Sequence, residues 1–201
     1  MSKTSLSTRK LSDLARHLVI PAGIETTAWP HLAQALRRMR YPLDTWQMSL
    51  GKLLVAKRAD GIYACGVGGA VFSLPRQVGK THTIAGLIFG LCVAFPGTFV
   101  LWSAHRARTH NETFRSMQGI ANKPDIMPFI GHVHRAAGSE GIEFANGSRI
   151  LFGARENGFG RGFAKVDVLV FDEAQILSEK AMDDMVPATN AAPNGLVIML
   201  G

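Results

Sequence analysis

Cysteine is scarce in this chain of 201 residues: Cys65 and Cys92 stand far apart with no close spacing. That pattern excludes a disulfide framework and the paired-cysteine motifs of zinc sites. Long apolar runs are missing too. The most apolar stretch, 84–95, is too short and too broken by glycine to cross a bilayer. The N-terminus is polar and basic with no apolar segment after it, so no secretory signal is expected. An intracellular, reducing setting follows. His105, His110, His132 and His134 lack a cysteine or carboxylate at metal-ligand spacing, so they read as surface or loop histidines. Acidic residues are outnumbered, 15 Asp and Glu against 22 Lys and Arg, for a net charge of +7. The excess points to a polyanionic partner, nucleic acid or an acidic protein surface. Its clusters are Arg37, Arg38 and Arg40; Lys52, Lys57 and Arg58; and Arg106, Arg108 and Arg115. Each alone reads as a solvated helix face.

What is present centres on Leu74-Pro75-Arg76-Gln77-Val78-Gly79-Lys80-Thr81. The closing Gly-Lys-Thr is that of a phosphate-binding loop, while Leu74 stands where the opening glycine belongs and Arg76 sits inside. The context suits the chemistry. Ala70 to Leu74 is an apolar run of strand length, and Ile84, Leu87, Ile88 and Leu91 recur at helical spacing until Pro96-Gly97. Strand, loop and helix therefore follow in the order that aims backbone N–H groups of Val78 to Thr81 at a phosphate from a helix N-terminus. Lys80 is expected on the β- and γ-phosphates of ATP, and the Thr81 hydroxyl on Mg²⁺.

Downstream, Val168-Leu169-Val170-Phe171 ends in Asp172-Glu173. An apolar run of this kind reads as a buried parallel strand that delivers charge at its C-terminal tip, the edge where open α/β sheets bind ligands. Asp172 is expected to hold Mg²⁺ and Glu173 to orient and activate the attacking water. Arg161 lies in the glycine-rich segment Gly158-Phe159-Gly160-Arg161-Gly162 just before that strand. As an always-charged fork it could stabilise charge on a phosphoryl group, and Arg76 is the competing candidate within the loop.

The coarse organisation has two parts. Residues 1–68 read as a helical region, with Leu32, Leu36 and Met39 on one face and Trp46, Leu50, Leu53 and Leu54 on another; the first ~10 residues are expected to be disordered. Residues 69–201 alternate strand and helix, which implies an α/β core with a mostly parallel sheet. The expected elements are strands at 98–103, 166–171 and 196–200, helices at 106–120 and 179–185, and a hairpin over 142–152. Asn146-Gly147 gives that hairpin a type I′ turn signal.

With its motifs in this order, the chain resembles the large terminase subunits of tailed bacteriophages, the ATPase motors that package viral DNA into procapsids. Arg76 to Thr81 is similar to that family's variant Walker A loop, in which the first glycine is commonly replaced and an arginine sits inside. Leu43-Asp44-Thr45-Trp46-Gln47 is similar to its upstream Asp-Pro-Trp-Gln segment, with Thr45 in place of proline. Ile142-Glu143-Phe144 with Asn146-Gly147-Ser148, then Gly160-Arg161-Gly162, then Asp172-Glu173-Ala174-Gln175 complete a likeness over residues 41–201. The resemblance implies a P-loop NTPase of the RecA-like three-layer kind, with Gln47 on adenine and Pro75 to Thr81 around the phosphates. It also implies double-stranded viral DNA, a portal protein and a terminase small subunit as partners, a homo-oligomeric ring on the portal, and the host cytoplasm as the setting. In a ring, Arg161 would act on a neighbour's ATP. The family's coupling motif and nuclease domain would follow Gly201, so no nuclease activity is expected of this stretch. Two other readings stay open: a superfamily-two helicase or translocase, and a non-catalytic assembly or DNA-binding fragment.

Overall fold

The structure, a computed structural model, describes residues 7–75, 78–160 and 162–201. The chain opens with a single-turn helix α1 (Leu11–Leu14), a short strand β1 (Thr26–Thr27), helices α2 (Trp29–Arg38) and α3 (Thr45–Leu54), and strand β2 (Ala56–Lys57). It continues with β3 (Ala70–Phe72), α4 (Lys80–Ala94), β4 (Phe99–Ala104), α5 (Ala107–Ala121), β5 (Ile130–His134), β6 (Gly141–Phe144), β7 (Arg149–Ala154), β8 (Val168–Phe171), α6 (Glu179–Met185) and β9 (Leu196–Leu200). β1 and β2 form a small antiparallel ribbon that the sequence did not signal.

The other seven strands make one sheet in the order β3-β9-β8-β4-β7-β6-β5. The first five run parallel, and β6 and β5 extend the sheet antiparallel. The fold is thus the expected α/β architecture with a mostly parallel sheet. Side chains alternate across it as a pleat requires. Val100, Trp102, Val168, Val170 and Ile198 face a core shared with α4, α5, α2 and α3. Phe99, Leu101, Leu169, Phe171 and Val197 face the opposite core, closed by Met185 of α6 and by Phe159 and Phe163. Both faces being covered explains why β4 and β8 are buried at every residue.

Periodicity gave α4 one apolar face, yet the helix is buried all round from Thr83 to Val93. A helix apolar on every side belongs between two layers. Here the sheet lies on one side and α2 and α3 on the other, so residues 1–68 and 69–201 share a core. The glycines that break its hydropathy serve this packing: a Cβ on Gly86 would strike the Tyr41 ring, and one on Gly90 would strike Leu32. Gly86→Ala is therefore expected to destabilise the protein by about 1–3 kcal/mol through overpacking. Gly119→Ala, on the open face of α5 with nothing within 4 Å, is expected to stabilise it by about 0.5–1 kcal/mol. Denaturant melts of the two variants check the contrast in sign.

Two local expectations are corrected. The β6–β7 turn is not type I′, which needs positive φ at both central residues. Gly147 is left-handed (φ 84) and Asn146 is not. Gly147 N bonds Phe144 O at 3.0 Å and Phe144 N bonds Ser148 O at 2.8 Å, giving a longer turn with one left-handed glycine. Asn146 spends its side chain elsewhere, donating to Cys92 O at 2.8 Å and accepting from Ser148 N at 3.1 Å. The disorder expected for the first ten residues lies outside the described residues for 1–6. From Ser7 the chain is tied to α3, with Ser7 N donating to Asp44 Oδ1 at 2.7 Å.

Candidate functional site

β3 ends at the sheet's edge, and its pairing with β9 carries on past Phe72 through Leu74 N to Gly201 O at 3.2 Å. Pro75 is exposed, Val78 is exposed, and Gly79 adopts a left-handed φ of 84° and ψ of 28° as it enters α4. Glycine takes that conformation without steric cost. Thr83 N bonds Gly79 O at 2.8 Å, so the amides of Lys80, Thr81 and His82 precede this bond and head the helix. Arg76, Gln77 and Arg161, three of the residues assigned to the loop and the finger, lie outside the described residues.

β9 lies between β3 and β8, yet the loop and the acidic tip meet. Lys80 Nζ stands 3.6 Å from Asp172 Oδ1, with the Asp172 side chain 8 % exposed. Asp172 Oδ1 also accepts from Glu173 N at 3.0 Å, and its Oδ2 from Thr113 Oγ1 at 3.4 Å. Glu173 sits in the left-handed region, φ 55° and ψ 46°, a placement that costs a non-glycine residue about 1–2 kcal/mol. Its carboxylate accepts from His105 N at 3.3 Å through Oε2 and from Thr109 Oγ1 at 3.2 Å through Oε1. Thr109 and Thr113 are one turn apart on α5, so a single helix face holds both acids. Neither threonine carried a sequence signal.

Gln47 reaches the same loop from α3. It is 5 % exposed and closes a capping box, its Oε1 accepting from Asp44 N at 2.7 Å. Its Nε2 donates to Thr83 Oγ1 at 2.7 Å, and that hydroxyl donates to Gly79 O at 2.9 Å. The residue named for adenine thus braces the phosphate loop in this arrangement. Beside it, Tyr41 stacks on His82 at 4.6 Å and donates its hydroxyl to His82 O at 2.8 Å. Burial pushes the Tyr41 phenol well above its ordinary pKa, which keeps it a donor.

The sequence also passed over Arg155, at the end of β7. Its Nη1 donates to Ser103 O at 3.0 Å and Ser103 Oγ at 3.1 Å, and its Nη2 to Asp172 O at 2.9 Å. The histidines are not all surface or loop residues: His110 is buried on α5 with its Nε2 3.4 Å from Glu140 Oε1, while His134 Nε2 lies 3.0 Å from Glu143 Oε1 and its ring 4.5 Å from that of His132. Of the basic clusters, Arg37, Arg38, Arg40, Lys52, Arg58, Arg106, Arg108 and Arg115 are exposed and Lys57 is half-buried.

The residues present fit a magnesium-bound nucleoside triphosphate. Helix-head amides and an ammonium suit phosphate. The Asp172 carboxylate and Thr81 hydroxyl are hard oxygen donors of the type Mg²⁺ selects.

No family model matches the sequence, and no curated protein matches it. Solved structures do. The large terminase of bacteriophage HK97 superposes with a TM-score of 0.66 at 17 % identity, covering 88 % of this chain and 38 % of that one. The large terminase of a thermophilic bacteriophage gives 0.52 at 9 % identity, covering 88 % and 39 %. The chain therefore spans about two-fifths of the length of these two proteins. The ATPase domain of the Thermus phage P74-26 large terminase gives 0.51 at 15 % identity, covering 65 % of this chain and 58 % of that one. In fold, this chain is like the ATPase region of phage large terminases.

Proposed function

We propose that the chain is the ATP-hydrolysing motor domain of a phage large terminase, which drives viral DNA into a procapsid. The observation that carries the reading is the meeting of Lys80 with Asp172 at 3.6 Å, with Glu173 next to it, at the tip of a sheet with this topology. Lys80 and the helix-head amides would hold the phosphates, and Thr81 and Asp172 would hold Mg²⁺. The metal, when bound, supplies charge neutralisation at the phosphates. Glu173 would orient water and accept its proton. Arg161 would act on a neighbouring subunit's nucleotide in a ring, and Arg76 in its own. Gln47 would contact adenine while it braces Gly79. Double-stranded DNA, a portal protein and a small subunit are the partners in this reading, and the host cytoplasm its setting. The +7 charge and the exposed arginines support a polyanionic partner.

Steady-state phosphate release by this chain, with and without double-stranded DNA, tests the proposal. Mg²⁺-dependent turnover is expected, with no strand separation. Separation of a duplex by the chain alone would place it with helicases instead. Neither turnover nor ATP binding would leave only a structural role.

A further inference from the structure

Arg155 closes a ring of hydrogen bonds beneath the acidic tip. Asp172 N donates to Ser103 O at 2.8 Å, the same carbonyl accepts from Arg155 Nη1, and Arg155 Nη2 returns to Asp172 O. Asp172 is thereby pinned to the end of β4 at both ends, its N–H directly and its carbonyl through one side chain arriving from β7. Ser103 is fully buried and Asp172 nearly so, so water competes little for these bonds. The next residue is Glu173, whose left-handed backbone persists only where its surroundings hold it. The guanidinium carbon lies 5.8 Å from the centre of the Phe171 ring. Burial works against the Arg155 charge, and Glu173 and then Asp172 favour it.

We infer that Arg155 is a positioning residue for hydrolysis: its planar fork locks the tips of β4 and β8 in one relative placement and so holds Asp172 facing Lys80 and Glu173 beside it. This inference rests on the ATPase reading above for its effect on turnover, and on geometry alone for its effect on the tip. It acts through the backbone of Ser103 and Asp172, whereas the finger role belongs to other arginines. Lysine cannot replace it, because one ammonium lacks the fork that spans two carbonyls.

Arg155→Ala and Arg155→Lys are the test variants, with turnover, affinity for a fluorescent ATP analogue and amide hydrogen exchange of the 171–176 segment as readouts. Both are expected to lower kcat on the order of 10²-fold, as displaced catalytic groups do, with analogue affinity nearly unchanged and exchange in 171–176 faster. Arg155 lines a cleft of about 340 Å³ that also touches His105, Ile176 and Lys180. That cleft gives a free ion entry, so millimolar guanidinium should restore turnover to Arg155→Ala, and equal sodium chloride should not. If Arg155→Ala does not fold, Arg155→Lys, with its charge and stem kept, carries the same measurements. Wild-type kcat in Arg155→Lys, a loss of analogue affinity as large as the loss of kcat, or unchanged exchange in 171–176 would each overturn the clamp. If the wild-type chain proves to have no ATPase activity, the proposed function fails, and the exchange experiment alone decides the clamp.

Discussion

Glu173→Gln is expected to lower kcat for ATP hydrolysis on the order of 10²–10⁴-fold while ATP binding survives. The substitution isolates proton acceptance. Glutamine is nearly isosteric, and one amide oxygen can still accept from His105 N, which Glu173 Oε2 now does at 3.3 Å. The Thr109 hydroxyl, now a donor at 3.2 Å, can rotate to accept from the new amide. The left-handed turn at 173 and the Asp172 contacts with Glu173 N and Thr113 should therefore persist. What disappears is the carboxylate of the tip best placed to take a proton, since Asp172 already faces Lys80. Phosphate release and equilibrium binding of ATP are the two measurements. A Gln variant that turns over ATP at close to the wild-type rate would remove Glu173 from the base role. A variant that no longer binds ATP would show that the residue serves the pocket rather than the chemistry.

Much of this site was legible in the sequence because its parts are local. Gly79-Lys80-Thr81 lies between an apolar run and a helical periodicity, and the acids follow an apolar run, so each half announces its own strand tip. The insertion of β9 between β3 and β8 is a long-range pairing, and no local pattern reports it. The all-round burial of α4 was hidden for a related reason. Gly86 and Gly90 looked like interruptions in an apolar stretch until Tyr41 and Leu32, far away in sequence, were found against them. The Asn146-Gly147 turn failed on a competition: Asn146 has better partners in the Cys92 carbonyl and its own loop than a left-handed backbone provides.

Arg155 had a signal that could have been used. The reasoning that singled out Asp172, a charged residue directly after an apolar strand, applies equally to Arg155 after Arg149–Ala154. A positive charge at such a tip is as anomalous as a negative one, and the guanidinium turns out to bond the main-chain carbonyl of Asp172. Thr109 and Thr113 had no comparable signal, because a threonine pair at helical spacing is common and only the tertiary placement of α5 against β8 gives it meaning.

Lys80→Ala should remove both binding and turnover, a different outcome from the Gln variant. The Lys80 side chain is 28 % exposed and its ammonium is the described cation nearest the Asp172 carboxylate in the loop-to-tip gap. Its loss takes away charge aimed at the phosphates, and turnover is expected to fall on the order of 10²–10³-fold, as when a single oxyanion donor is removed. Some loss of stability is expected, because the Asp172 carboxylate facing Lys80 is only 8 % exposed and loses its cation, but the partly exposed lysine leaves the fold in place. Asp172 keeps its bonds from Glu173 N and Thr113, so no orphan acceptor is created. Thermal unfolding separates these effects. A ligand at about 100 times its Kd stabilises the native state by about 2.7 kcal/mol. The wild-type chain and Glu173→Gln should both show an ATP- and Mg²⁺-dependent rise in Tm, whereas Lys80→Ala should unfold at the same temperature with or without nucleotide. An equal rise in all three would mean that the nucleotide binds somewhere other than the 74–81 loop, and the ATPase reading would lose its site.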